Sequence, residues 1–153
     1  MTTSTDQLTP AWLTTVLRTH GSLVHGSVTT LHILSTFETA PSRLVRFAAT
    51  YTPDAFVTAP SQFFLKLPRP ETLEPAQRER HFYTTLAPLL PTHLLIPWYC
   101  VGTTEAAVPY ILLGDVSLSH RVWDQGLPPW PVLESMVTAL ARLHAAMWER
   151  SNL

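Results

Sequence analysis

The tightest constraint in this sequence is the shortness of two connections. Between residues 22 and 67, three runs, SLVHGSVTTLHILSTF, SRLVRFAATYT and SQFFLKLP, are rich in Val, Thr, Phe, Tyr and Leu. Only ETAP and PDAFVTAP separate them. Parallel neighbours need a crossover of about a dozen residues or more, so strands joined this closely form an antiparallel meander.

Helices frame the meander. In LTPAWLTTVLRTHG, Thr9 is a cap, Pro10 suits the first helical position and Gly21 follows the last turn. A second helix is predicted over ETLEPAQRERHFYTTLAPLLP, from Pro75 to Ala87, stopped by Pro88 or Pro91. Two further strands, HLLIPWYCVG and AVPYILLGDVS, follow across the polar turn TTEA. Beyond the loop SHRVWDQGLPP, the stretch WPVLESMVTALARLHAAMWER places Leu133, Met136, Val137, Leu140, His144 and Met147 at helical spacing. The 14 prolines, about double ordinary usage, mostly fall between these elements. The fold class is therefore α+β, with five strands interrupted once, after the third, by a helix.

Charge narrows the function. Charged residues make up 14% of the chain against an apolar share of 46%, so much of the surface is neutral and suited to being covered. A formal net charge of −1 gives no electrostatic footprint for nucleic acid or an anionic membrane. Cys100 is the single cysteine, which excludes an internal disulfide and a cysteine zinc cluster. The start lacks the pattern of a secretory signal and no run reaches membrane-span length, pointing to a soluble cytoplasmic protein. No H-x-x-x-H, H-E-x-x-H or G-x-S-x-G pattern occurs. Trp98, Trp123, Trp130 and Trp148 read as core or interface residues, as does His144.

Lys66 is the only lysine among ten basic residues and closes the apolar run FFLKLP. On the second helix Glu79, Phe82, Tyr83 and Leu86 fall at i, i+3, i+4 and i+7, placing a carboxylate on an apolar face. Glu74, Arg78 and Arg80 leave toward solvent. An ion pair between Lys66 and Glu79 resolves both desolvation problems. The rival reading is a lysine that lays its methylenes on apolar surface and projects its charge into water. A third-strand lysine fixed by a helix glutamate is also how kinases hold the α- and β-phosphates of ATP.

On LTPAWLTTVLR, FFLKLP, ERHFYTTLAP, PYILLGDVS and LARLHAAMW, taken in order, the chain resembles the N-terminal half of the aminoglycoside phosphotransferase and choline kinase-like family, near its ecdysteroid-kinase-like and hydroxyurea phosphotransferase branch. The resemblance implies a kinase-like N-terminal lobe over residues 1–116, then a linker and the first helix of a C-terminal lobe over 117–153. It implies Lys66 as phosphate ligand, Glu79 as its partner, and Ile111, Leu112, Leu113, Gly114 and Asp115 as an adenine-contacting linker acting through backbone groups. Ser35, Thr36 and Ser42 are candidates to cradle phosphate in the glycine-free turn STFETAPS.

The family commonly carries an acidic residue where Gly114 stands, leaving Asp115 the linker's carboxylate, with capping or turn formation as its role. The family's HGD-type catalytic loop and metal-binding aspartate come after the long helix, and the sequence stops at Leu153. His120, Arg121 and Asp124 in SHRVWDQG precede that helix and read as an ordinary loop. The implied activity is ATP-dependent phosphorylation of a small-molecule hydroxyl, with the catalytic half absent. Mg²⁺ is expected only with a C-terminal half, which is one candidate partner; self-association through the 131–150 helix is another. The alternatives are a non-catalytic nucleotide- or protein-binding module and an unrelated α+β domain.

Overall fold

The computed structural model describes residues 8–90, 96–103, 108–120 and 126–148. Helix α1 (Pro10–Thr19) starts as its sequence dictates: Thr9 Oγ1 accepts the Trp12 N–H at 3.1 Å, and Pro10 occupies the first turn. Among the described residues seven strands follow. β1 (Leu23–His25) and β4 (Phe56–Val57) form a small antiparallel ribbon. β2 (Val28–Glu38), β3 (Ser42–Tyr51), β5 (Gln62–Pro68), β7 (Pro109–Gly114) and β6 (Tyr99–Thr103) form a five-stranded sheet in that spatial order, antiparallel throughout.

The first β run is not one strand, because it breaks at Gly26 into β1 and β2. Gly26 has φ +79°, and a Cβ there would lie 2.6 Å from the Ala55 Cα and 2.7 Å from Thr52 Oγ1. Closely apposed backbones leave only a hydrogen at this point. The connection PDAFVTAP is also not wholly loop, since Phe56 and Val57 pair with β1.

Period-two alternation gives the sheet two unlike faces. Val45, Phe47, Phe63, Leu65, Leu112 and Cys100 point to one side, where they pack with Leu13, Val16 and Leu17 of α1. Phe47 stacks on Phe63 at 5.3 Å, and Trp98 meets Phe63 edge-on at 5.5 Å. Leu44, Arg46, Phe64, Lys66, Ile111 and Leu113 occupy the opposite face.

That face receives α2 (Leu73–His81), preceded by a 3₁₀ turn at Pro70–Thr72. The continuous helix expected from Pro75 to Ala87 is not formed. After His81 the chain widens into a π turn over Phe82–Leu86, with the Ala87 N–H donating to the Phe82 carbonyl, and ends in a 3₁₀ turn at Ala87–Leu89. Pro88 lacks an N–H for the Thr84 carbonyl and its ring crowds that position. The Thr84 hydroxyl bonds back to the Arg80 carbonyl at 3.1 Å, which further disfavours regular winding. Phe82, Tyr83 and Leu86 consequently stay half-buried rather than entering a core.

Helix α3 (Trp130–Trp148) has no buried residue. Met136, Val137 and Leu140 are 58%, 65% and 52% exposed, so the apolar stripe read from the sequence is left uncovered by the other described residues. His144 is exposed, so it is not a core histidine. No helix among the described residues is long and apolar enough to cross a membrane.

Gly26→Ala is expected to cost about 2–4 kcal/mol, combining left-handed strain with backbone overlap. Gly21→Ala, at φ +77° with nothing within 4 Å of the added carbon, is expected to cost only the strain, about 1–2 kcal/mol. Urea midpoints of the two variants check the difference; equal losses would show that close approach at Gly26 is unimportant.

Candidate functional site

Lys66 leaves β5 on the α2 face, and its Nζ lies 2.5 Å from Glu79 Oε2. The two side chains are 25% and 32% exposed. Each residue's position follows from an element already described: strand alternation turns Lys66 away from the apolar core, and α2 packs directly over that face. The pairing expected from the sequence is therefore present, and the lysine does not simply project into water.

Around this pair lies a small hollow of about 10 Å³, lined by Ser42, Pro68, Arg80 and Ile111 together with Lys66 and Glu79. That is room for about one water. Ser42 is 2% exposed and opens β3 just after the β2–β3 turn, where Thr39 Oγ1 donates to its carbonyl at 2.7 Å and accepts its N–H at 3.1 Å. Ser35 and Thr36 do not join it, because both lie within β2, opposite Arg46 and Val45. Arg80 was expected to leave toward solvent; it lines the hollow instead, half-buried. Arg78 does point outward and pairs with Glu74 one helical turn earlier.

The linker positions behave differently from expectation. Ile111, Leu112 and Leu113 lie in β7, which is an interior strand registered with β5 on one edge and β6 on the other. A strand paired on both edges has its backbone groups committed to the ladder, so these three offer no main-chain contact to a ligand. The Gly114 N–H donates to the Trp98 carbonyl at 2.6 Å, and the Asp115 N–H to the Gln62 carbonyl at 2.9 Å. The chain leaves the sheet only after Asp115.

Asp115 has the turn role anticipated, accepting the Ser117 N–H at 2.8 Å, and a second role that local sequence does not reveal. Its Oδ2 accepts from Arg46 Nε at 2.6 Å, and Arg46 Nη2 donates to Ser117 Oγ at 2.7 Å. The Arg46 guanidinium also stands 5.8 Å from the Phe64 ring centre. Burial works to raise the Asp115 pKa. Hydrogen bonds from the Ser117 hydroxyl and N–H, and the bond and charge of Arg46, outweigh it and hold the carboxyl below its usual range. The one available signal was an arginine at a position of SRLVRFAATYT that alternates with the core residues Val45 and Phe47 and so faces the other side of the sheet.

A larger hollow of about 470 Å³ lies on the opposite face, between α1 and β6, bounded by Trp12, His20, Cys100, Gly102 and Tyr110. Burial pushes the Cys100 thiol up to about 11, which leaves it an inert thiol at neutral pH. Among the described residues no three His, Cys, Asp or Glu side chains converge to hold a metal ion. Arg121, Trp123 and Asp124, and the turn residues 104–107, lie outside the described residues. No family model, curated protein or solved structure matches this chain.

Asp115 makes stability depend on pH in a defined direction. Its folded pKa is depressed, so its contribution is complete above the unfolded value of about 3.9 and is lost as pH falls through the lower folded value. Asp115→Asn is expected to be less stable than the wild type at neutral pH, with the gap closing below about pH 4. Urea midpoints across that range check this; a gap constant with pH would mean that the carboxylate charge contributes nothing.

Proposed function

We propose that this chain is the nucleotide-binding lobe of an ATP-dependent small-molecule phosphotransferase of the aminoglycoside phosphotransferase and choline kinase-like kind. The observation that carries the reading is the Lys66–Glu79 pair, with its lysine on the third long strand and its glutamate on the helix that follows. An ammonium held at one place by a carboxylate is aimed rather than mobile, and a compact cation suits a phosphate tail. The five-stranded antiparallel sheet with a single helix on the lysine-bearing face is the scaffold such a lobe requires.

The base cannot rely on the backbone of residues 111–113, which the sheet consumes. In this reading it lies beyond Asp115, against the Arg46–Phe64 side of the same face. In this reading the groups that hold a divalent cation and orient an acceptor hydroxyl come from a second half. The second half also covers α3, whose Met136, Val137 and Leu140 form an apolar surface too extensive for an element meant to stay bare. That surface equally favours a second reading, a lobe that binds nucleotide or protein without catalysis.

Titrating ATP into the purified chain by calorimetry tests the first reading. Weak binding is expected, reduced about tenfold or more by Lys66→Ala and also reduced by Glu79→Ala, since one charge-assisted contact is worth about 1.5–3 kcal/mol. Binding indifferent to both changes would sink it. Steady phosphorylation of an alcohol by this chain alone, abolished by Lys66→Ala, would show that it carries its own catalytic groups.

The exposed α3 gives a separate expectation. The chain should self-associate or enhance the fluorescence of a hydrophobic dye, and Val137→Gln with Leu140→Gln should remove most of that signal. A monodisperse wild type without dye binding would count against a covered helix.

A further inference from the structure

We infer that Arg80 is an anion-docking residue, and that the hollow it shares with Lys66 receives a terminal phosphoryl oxygen of a phosphate ester or polyphosphate. The inference deepens the nucleotide reading above and rests on it only for the identity of the rest of the ligand.

Charge balance comes first. Lys66 already faces Glu79 at 2.5 Å, so that pair presents little net charge to an incoming anion. Glu74 is taken by Arg78 on the outer side of α2. Glu38, at the end of β2, lies between two guanidiniums, 3.3 Å from Arg43 and 3.2 Å from Arg69. Among the described residues Arg80 has no carboxylate within ion-pair distance. The uncompensated positive charge at this hollow therefore belongs to Arg80, one residue past the glutamate that neutralises the lysine.

Position and size agree. Arg80 is half-buried and lines the hollow beside Ser42, whose side chain is a further hydroxyl donor. Pro68 and Ile111 supply apolar walls, which strengthen any charge–charge interaction made there relative to open water. A planar guanidinium matches two oxygens of a phosphoryl group at once, whereas an ammonium offers a point charge. Space of about 10 Å³ admits one oxygen and excludes a base, so the remainder of the ligand lies outside, along the open sheet face. In this arrangement Glu79 orients Lys66, and Arg80 provides the net attraction.

Calorimetric titration of the full chain with pyrophosphate, ATP and adenosine, in wild type and the variants Arg80→Gln, Arg80→Lys and Arg78→Gln, tests this. Pyrophosphate is expected to bind the wild type and to lose about tenfold in Arg80→Gln. Arg80→Lys should recover part of the loss, and Arg78→Gln, on the exposed side, should bind as the wild type does. Absence of pyrophosphate binding, unchanged binding in Arg80→Gln, or equal losses in the Arg80 and Arg78 glutamine variants would each overturn the inference. Should pyrophosphate bind through Arg80 while ATP binds no tighter and adenosine does not bind at all, the anion site stands and the nucleotide reading falls. Thermal melts of Arg80→Gln matching the wild type exclude unfolding as the cause; if that variant does not fold, the comparison of Arg80→Lys with wild type decides.

Discussion

The helix that builds the candidate site is held to the sheet chiefly by a charge pair. Helix α2, reading LEPAQRERH, has no buried residue, so the ordinary source of helix docking, an apolar face removed from water, is weak here. Its polar tie is Lys66 to Glu79, and its continuation is tied by Tyr83 against Tyr99 at 5.0 Å. Removing one partner of a pair a quarter to a third exposed is expected to cost more than at a surface ion pair and less than at a fully buried one, about 1–2 kcal/mol. The position of the Lys66 ammonium is therefore coupled to the seating of α2.

The two faces of the sheet divide the work. On one, α1 closes over Val45, Phe47, Phe63, Leu65 and Leu112 in a core that supplies most of the stability. On the other, β5 carries Phe64 and Lys66 in alternation, and each is engaged by a cation or carboxylate from elsewhere: Arg46 over Phe64, Glu79 on Lys66. Charged side chains tolerated on a sheet face must be paired, and paired charges placed side by side are what a polar ligand can exchange with.

Much of this was legible because it is local. The Thr9–Pro10 start of α1, the antiparallel meander and the strand position of Lys66 each follow from a few adjacent residues and a period of two or 3.6. The Lys66–Glu79 pair was legible for a different reason: two unwelcome charges thirteen positions apart, each needing the other. What escaped depends on distant parts of the chain. Arg46 and Asp115 are 69 residues apart, and nothing near either announces the other. The break at Gly26 is enforced by Ala55 and Thr52 across the ribbon. The commitment of Ile111–Leu113 to a two-sided ladder follows from β7 lying between β5 and β6, which is a matter of strand order rather than of sequence texture.

The π turn after α2 shows how such non-local and local effects meet at the site. A regular helix through Ala87 would keep Phe82, Tyr83 and Leu86 stacked above Glu79 as a core stripe. Widening at Phe82 rotates the following residues, leaves them half-buried and sets Tyr83 against the edge strand β6. The consequence for Glu79 is that its carboxylate sits at the margin of apolar cover instead of beneath it. A deeper carboxylate would be locked to Lys66 by the cost of separating two buried charges; at the margin, water or an anion can compete for the lysine. The turn that costs the helix its regularity thus accompanies a Lys66–Glu79 pair whose two side chains keep a quarter to a third of their surface in contact with solvent.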